Sequence, residues 1–476
     1  MTEHDNIKDA NNSTIAGESG ADGVNAAAPQ AAPSKVIAHE LVGAQLERMA
    51  RTQRRRLVAD LVTKLGVKRL EMAEDVVQDA VIAAMQSWPF KGMPDSPAAW
   101  LNRVARNKAY DRLRREGREQ SITNDDESEH DPRQHDDAVM SQVADHMHGQ
   151  FYGAQVNDPE LKLIFLCCHD SLVEEDRLML TLKVVSGFTA RDIAAVFLKK
   201  EAAVGQRLAR AKRKLRALDG EGTSHDLNDL SRFAVQARLN TVLKVIYLMF
   251  ALGYAPRRGE ALIQQDVALE ALRLAEVLAG ARETVQPAVH ALAALLNLQA
   301  SRFAARTGPD TANNDMSGRL VLLRDQNRAL WDTELIKRGM VHLAMAQAGD
   351  ALSRYHLEAG IAAAHATAKH FGETDWTGIC ALYVRLEAMT NSPVVAVNAC
   401  VAQAFAGTPE KAFLKLEALA GAERLSDYAP YHIARGELLR MLSRPIDAAE
   451  SFQAAIVCAA SAPVIAHLQD RLASCV

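Results

Sequence analysis

Aromatic residues are scarce in this chain of 476 residues, at 5% of the total. Strands favour aromatic and β-branched side chains, and the abundant Ala and Leu favour helices, so an all-β fold is excluded. Six cysteines (Cys167, Cys168, Cys380, Cys400, Cys458, Cys475) are too few and too scattered for a disulfide framework, which fits a reducing compartment. No uninterrupted apolar run reaches the roughly 18 residues of a membrane span, and the polar stretch from Met1 to Ser34 lacks the apolar segment of a signal peptide. The expectation is a cytoplasmic protein. P-loop, GxSxG, HExxH and GxGxxG motifs with their strand context are all missing, which argues against an enzyme. The Cys167-Cys168-His169 triplet has no CxxC pair or second His/Cys cluster to complete three or four metal ligands, and reads as helix packing, with a redox-sensing thiol or a metal as the lesser alternatives. No metal and no cofactor are expected.

What is present is ordinary in bulk: 48% hydrophobic, 24% charged and a net charge of −4. At about 100–200 residues per domain the length predicts about three folded units. The average conceals a block pattern: the net charge is +7 over residues 46–118, −10 over 119–160 and +6 over 161–218, with −4 before and −3 after. Two basic modules flank an acidic strip. We expect a disordered extension over residues 1–37, a helical bundle over 38–118, an acidic flexible linker over 119–157, a second bundle over 158–219 and a helical C-terminal domain over 229–476. The fold class is all-α.

In the first bundle Leu57, Leu61 and Leu65 form one apolar row, and Val76, Val77, Ala80, Ile82, Ala83 and Met85 another. The second of these helices presents Glu74, Asp75, Gln78 and Asp79, a face repelled by DNA and suited either to a basic protein partner or simply to solvent. The next segment, residues 98–118, has a net charge of +5. It interleaves Asn102 and Asn107 with Trp100, Tyr110, Arg103, Arg106 and Arg112, the mixture that holds single-stranded nucleic acid by stacking inside a positive groove. Trp100 fits equally well in the core of the bundle.

In the second bundle Thr189 is a candidate N-cap with Asp192 three residues on. Ile193, Ala194 and Phe197 bury the face of one short helix, and Val204, Leu208 and Ala211 that of the next, across a turn near residues 198–200. The pattern is that of a helix-turn-helix. Its second helix, 201–216, has a net charge of +5. Gln206, Arg207 and Arg210 are in position for base edges, and Arg213 and Lys214 for phosphates. The competing reading is a solvated basic face on an ordinary bundle helix.

AEDVVQDA followed by WLNRVARNKAYDRLRR resembles regions 2.2 to 2.4 of a bacterial sigma-70-type factor of the extracytoplasmic function (ECF) class, and the helix-turn-helix resembles region 4.2. LKLIFLCCHDSL, VIYLMFALGY, RLVLLRDQNRALWD, RYHLEAGIAAAHA and DWTGICALYVRLEAMTNSPVVAVNACVA are similar to the subgroup with a tetratricopeptide-like (TPR-like) C-terminal extension. The sequence departs from that subgroup at Asp170, where Pro is expected, and in a loop expected after Phe250, where Ala251-Leu252 replaces a polar or acidic pair. The resemblance implies promoter-specific initiation without chemistry of its own. Asp75, Gln78 and Asp79 would dock on core RNA polymerase. Asn102, Arg103, Arg106, Asn107, Asp111 and Arg112, joined by Trp100, would read the minus-ten element of promoter DNA. Gln206, Arg207 and Arg210, backed by Arg213 and Lys214, would read the minus-thirty-five element. A protein or peptide ligand on the C-terminal domain is the further partner expected, and no membrane. Within that domain Gly436, Ala448, Phe452 and Ala455 have the spacing of one repeat hairpin, with Ala412 and Leu416 in a more degenerate upstream unit. The alternative to a sigma factor is a helical scaffold or ligand-sensing protein whose helix-turn-helix is structural.

Overall fold

Leu101, Ala105, Ala109 and Leu113 recur every fourth residue and are all buried, so the helix that carries them offers one continuous apolar stripe. Structure of this kind accounts for most of the chain. The computed structural model describes residues 53–123, 158–197, 199–217, 231–256, 258–259, 263–308, 319–421 and 425–475, and all of these fall in one unit, Glu47–Val476. The expected extension over 1–37 and most of the acidic linker lie outside the described residues.

The first module comprises α1 (residues 53–65), α2 (Leu70–Lys91) and α3 (Pro97–Thr123). Gly66, with φ of 83°, ends α1, and a single 3-10 turn (Val67–Arg69) leads into α2. Gly92 ends α2 at φ of 81°. Both glycines occupy a left-handed conformation that side chains resist. The buried row of α2 is Val76, Val77, Ala80, Ala84 and Trp88. Ile82 and Met85, placed by the sequence with the apolar row, are instead 43% and 56% exposed, because the helical period turns them away from Val76 and Ala80. Helix α3 continues to Thr123, five residues beyond the expected boundary at 118.

The second module holds α4 (Pro159–Cys167), α5 (Glu174–Val184), α6 (Ala190–Val196) and α7 (Glu201–Ala217). Thr189 accepts from the Asp192 backbone N–H at 3.1 Å, and the Asp192 carboxylate accepts from the Thr189 N–H at 2.9 Å. This reciprocal cap closes the start of α6 as its sequence implies. Ile193, Val204, Leu208, Ala211 and Leu215 form the shared core of the helix-turn-helix, with Phe197 half-buried. At Asp170 the carboxylate pairs with Arg177 at 3.2 Å and its carbonyl accepts from the same guanidinium at 3.0 Å. An ion pair thus fixes the turn where the subgroup pattern has Pro.

From α8 (Arg232–Tyr254) onward the helices pack mainly on their neighbours in sequence. They are α9 (Gln265–Gly280), α10 (Pro287–Ala300), α11 (Phe303–Arg306), α12 (Thr333–Ala346), α13 (Arg354–Thr367), α14 (Trp376–Thr390), α15 (Pro393–Phe405), α16 (Pro409–Ala418), α17 (Ala429–Met441), α18 (Pro445–Cys458) and α19 (Ala462–Ala473). Two short strand pairs join distant segments: Arg258–Gly259 parallel to Ala460–Ser461, and Thr307–Gly308 antiparallel to Arg319–Leu320. Ala251 and Leu252 lie in the last turn of α8, so the loop expected there is helix. Among the described residues α8 alone is long and apolar enough to cross a membrane, and 61% of its apolar window is buried in the protein. It packs on α9 and α10 and also on α4 and α5, tying the C-terminal half to the second module. In the α17–α18 hairpin Ala448, Phe452 and Ala455 are fully buried. A Cβ on Gly436 would come within 2.6 Å of the Phe452 ring, so the glycine is needed for the close approach.

Candidate nucleic-acid and polymerase interfaces

The solvent side of α3 forms one wall of a cleft of about 950 Å3. Asn102, Arg103, Arg106, Asn107 and Tyr110 line it from α3, and Gln53, Arg56 and Asp60 from α1. Four of the residues assigned to minus-ten reading therefore share one concave surface, and Arg103 and Asn107 are exposed on it. Arg106 and the Tyr110 hydroxyl lie 3.4 Å apart, one turn from each other. The other three assigned residues are elsewhere. Trp100 is half-buried, edge-on to Trp88 with ring centroids 5.4 Å apart, which favours the packing alternative. Asp111 is exposed outside the cleft lining. Arg112 bridges Asp75 and Asp79 at 3.1 Å each.

The opposite wall of the cleft is one the sequence did not reveal: Asp158, Pro159 and Glu160 at the start of α4, and Arg273 of α9. Arg273 binds Asp158 at 2.6 Å and Glu270 at 2.5 Å; against the opposing effect of burial, Arg273 and the backbone N–H groups of Leu161 and Glu160 hold the Asp158 carboxyl below its ordinary value. Glu160 is 2% exposed. Burial, followed by the neighbouring Glu270 carboxylate, pushes its own carboxyl above the usual range. Arg56 reaches across to Glu160 at 3.6 Å and Glu270 at 3.9 Å. Apart from Arg273–Glu270, these contacts join side chains more than 100 residues apart and leave no periodic trace in the sequence.

On α2, Asp75 and Gln78 are exposed and Asp79 is half-exposed, so the three assigned docking residues do form one outward face. Glu74, the fourth acidic or amide residue of that face, is not available. It pairs with Lys212 of α7 at 2.5 Å, with side chains 14% and 18% exposed. One helical turn away from each, Glu71 pairs with Arg216. Helix α7 also packs on the 3-10 turn Val67–Arg69. The second helix of the helix-turn-helix thus lies against the first module.

Gln206, Arg210, Arg213 and Lys214 are exposed on α7. Arg207 is not directed with them. Its guanidinium bonds to Asp176 at 2.6 Å and to Glu175, both in the first turn of α5. Two carboxylates 31 and 32 residues upstream hold it in charge-assisted hydrogen bonds, which corrects its placement beside Arg210 on a base-reading face. The pairing with Glu175 and Asp176 also raises the Arg207 pKa against the opposing effect of burial.

Cys167 and Cys168 are fully buried and His169 is 6% exposed. Burial raises the Cys168 thiol to about 12, and Cys167 is raised well above its ordinary value, so neither forms a thiolate at neutral pH. Among the described residues no cluster of three or more His, Cys, Asp or Glu side chains is arranged for a metal ion.

Residues 51–119 match the family model for sigma-70 region 2, and residues 162–215 that for sigma-70 region 4. Residues 238–347 match a family of unknown function, DUF6596. A protein of Rhizobium meliloti (strain 1021), described as uncharacterized, is 36% identical over 406 residues, covering 85% of this chain and 90% of its own length. No solved structure matches the chain. With a cleft-lining basic helix in the region 2 match and a capped helix-turn-helix in the region 4 match, the chain belongs to the sigma-70 family, the sigma factors that bind core RNA polymerase and direct promoter-specific transcription.

Proposed function

We propose that this chain is a cytoplasmic sigma factor of the ECF class, with no chemistry of its own, whose C-terminal half is a TPR-like domain that regulates or supports its activity. In this reading the α1–α3 wall of the cleft, uncovered when the wall formed by α4 and α9 moves away, receives minus-ten DNA through Asn102, Arg103, Arg106 and Asn107. The exposed stripe Gln206, Arg210, Arg213 and Lys214 of α7 enters the minus-thirty-five major groove. Asp75, Gln78 and Asp79 dock on core polymerase. The observation that carries the reading is the convergence of four polar and basic side chains of α3 on one concave face beside an outward acidic face of α2. A scaffold has no use for that juxtaposition.

The reading requires the two modules to separate. Elements about 25 base pairs apart at about 3.4 Å per step lie about 85 Å from one another, whereas α7 here touches α2 through Lys212–Glu74. Residues 124–157 between the modules reach at most about 3.3–3.6 Å each, or about 115 Å in all. The connection is long enough. Opening exchanges the Glu74–Lys212, Glu71–Arg216 and Arg56–Glu160 pairs for contacts with polymerase and phosphates. The sequential packing of α12 to α19 supports a repeat-like C-terminal domain.

In vitro transcription with purified core polymerase and genomic DNA tests the proposal, using the full chain and a chain ending before residue 229. Initiation at a discrete promoter set is expected from the full chain, with altered level or regulation after truncation. Failure to initiate at any promoter would refute the sigma reading, and identical behaviour of the two chains would refute the role given to the C-terminal half.

A further inference from the structure

The C-terminal half contains a second cavity, of about 360 Å3, far in sequence from the DNA-facing helices. Its size falls in the roughly 300–1,000 Å3 range of small-molecule sites. One wall is aromatic. Phe371, Trp376 and Phe405 meet in a three-ring cluster with centroids 4.9–5.1 Å apart, the Trp376 and Phe405 rings inclined by only 28°. Val397 and Val401 of α15, Ile379 and Tyr383 of α14 and Ile433 of α17 extend the apolar lining.

The polar groups at this cavity are few. Arg324 and Asn398 line it as donors, and Glu437 as the one carboxylate. Glu437 is already engaged: Arg471 bonds to both its oxygens at 2.5–2.7 Å, and Arg440 lies 3.8 Å away. Arg324 has only longer contacts, 3.3 Å to Glu437 and 3.5 Å to Asp325, and 29% of its side chain is exposed. The carboxylate is therefore saturated, and the guanidinium retains capacity for another anion. At the cavity wall His365 is 9% exposed, edge-on to Trp376 at 5.3 Å, and its Nδ1 is buried without a hydrogen-bond partner. An orphaned ring nitrogen next to an aromatic cage is costly in a bare protein, and is the kind of group a ligand satisfies.

We propose that this cavity binds a small planar aromatic acid, its ring against Phe371, Trp376 and Phe405 and its carboxylate on Arg324. The apolar walls select a flat, weakly hydrated ring, and about 360 Å3 accommodates one or two fused rings. The arginine selects the anion over its uncharged counterpart. The site stands apart from the transcription reading, and its test uses none of the DNA or polymerase machinery.

Calorimetric titration of the full chain with 2-naphthoate and with uncharged 2-naphthol tests the assignment. One saturable site per chain is expected for 2-naphthoate, with quenching of tryptophan fluorescence. Arg324→Gln should weaken 2-naphthoate by about tenfold while changing 2-naphthol by less than about twofold. Val401→Trp fills the cavity and should abolish binding of both. Because Val401 is half-buried, Asn398→Trp, at an exposed position on the same rim, provides a blocking variant that does not depend on repacking the core. The proposal is overturned by an absence of saturable 2-naphthoate binding, by equal losses of the two probes in Arg324→Gln, or by unchanged binding in both tryptophan variants. Displacement of 2-naphthoate by a mixture of random octapeptides more readily than by benzoate would overturn it too, in favour of a peptide site.

Discussion

Replacing Glu74 by Gln removes the charge that holds Lys212 while keeping the side chain's shape, and the expected result is local opening between the two DNA-facing modules. The two groups are 2.5 Å apart and retain 14% and 18% side-chain exposure. At an effective dielectric constant of about 20, unit charges about 3 Å apart attract by about 5–6 kcal/mol. Desolvation of both groups offsets most of that, leaving a coupling of about 1–3 kcal/mol. Hydrogen exchange read by mass spectrometry on peptides from α2 and α7 measures this directly. Each of Glu74→Gln and Lys212→Met should speed exchange in the facing turns by a factor of about 5–150, and the double variant should cost less than the sum of the two. Exchange in α6, which the Thr189–Asp192 cap and its own core hold, should stay unchanged. Unaltered protection of α7 in Glu74→Gln, or strictly additive effects in the cycle, would refute the idea that this pair joins the modules.

Other consequences are as specific. Arg210→Ala should lower promoter discrimination by about 1–3 kcal/mol with no change in melting temperature, whereas Arg207→Ala should lower the melting temperature by releasing Glu175 and Asp176; footprinting and thermal unfolding separate the two. Asp75→Asn combined with Asp79→Asn should reduce co-purification with core polymerase and leave the fold intact, and full retention of polymerase would remove the docking role. His365, pushed down to about 4 by burial and by Arg302 and Arg328, is neutral in the fold but would protonate when unfolded. The unfolded chain therefore binds the extra proton between about pH 6.5 and 4, and the stability His365 lends above that window is lost as pH falls through it, up to about 3 kcal/mol. His365→Gln should flatten the pH dependence of unfolding in that range, which denaturant titrations at several pH values will reveal.

Much of this arrangement was legible in the sequence because it is written locally. The Thr189–Asp192 cap, the buried row Leu101, Ala105, Ala109 and Leu113, and the Gly436–Phe452 approach each depend on residues within one helix or one hairpin, where spacing fixes geometry. Asn102, Arg103, Arg106 and Asn107 lie on one side of α3 as the helical period requires, but the sequence pattern groups Trp100, Asp111 and Arg112 with them, and these three lie outside the cleft. What escaped was set by partners far along the chain. Arg207 has the same local surroundings as Arg210 and differs only in meeting Glu175 and Asp176. Arg112 looks like a nucleic-acid residue until Asp75 and Asp79 are found beside it, and the acidic wall of the α3 cleft comes from a different module altogether. Exposed Ile82 and Met85 show a related limit: an apolar residue reports hydrophobicity, while the phase of the helix decides where it points.

The double duty of α7 limits how this protein can change its target. Val204, Leu208, Ala211 and Leu215 are committed to the core, and Arg207, Lys212 and Arg216 to acidic partners on α5 and α2. The exposed stripe of Gln206, Arg210, Arg213 and Lys214 can be rewritten without disturbing those contacts. A library meant to redirect the protein to new promoters should therefore vary those four positions. Grafting a whole recognition helix from a relative would carry over foreign contacts to α2 and unsettle the balance between the closed and the DNA-bound arrangements.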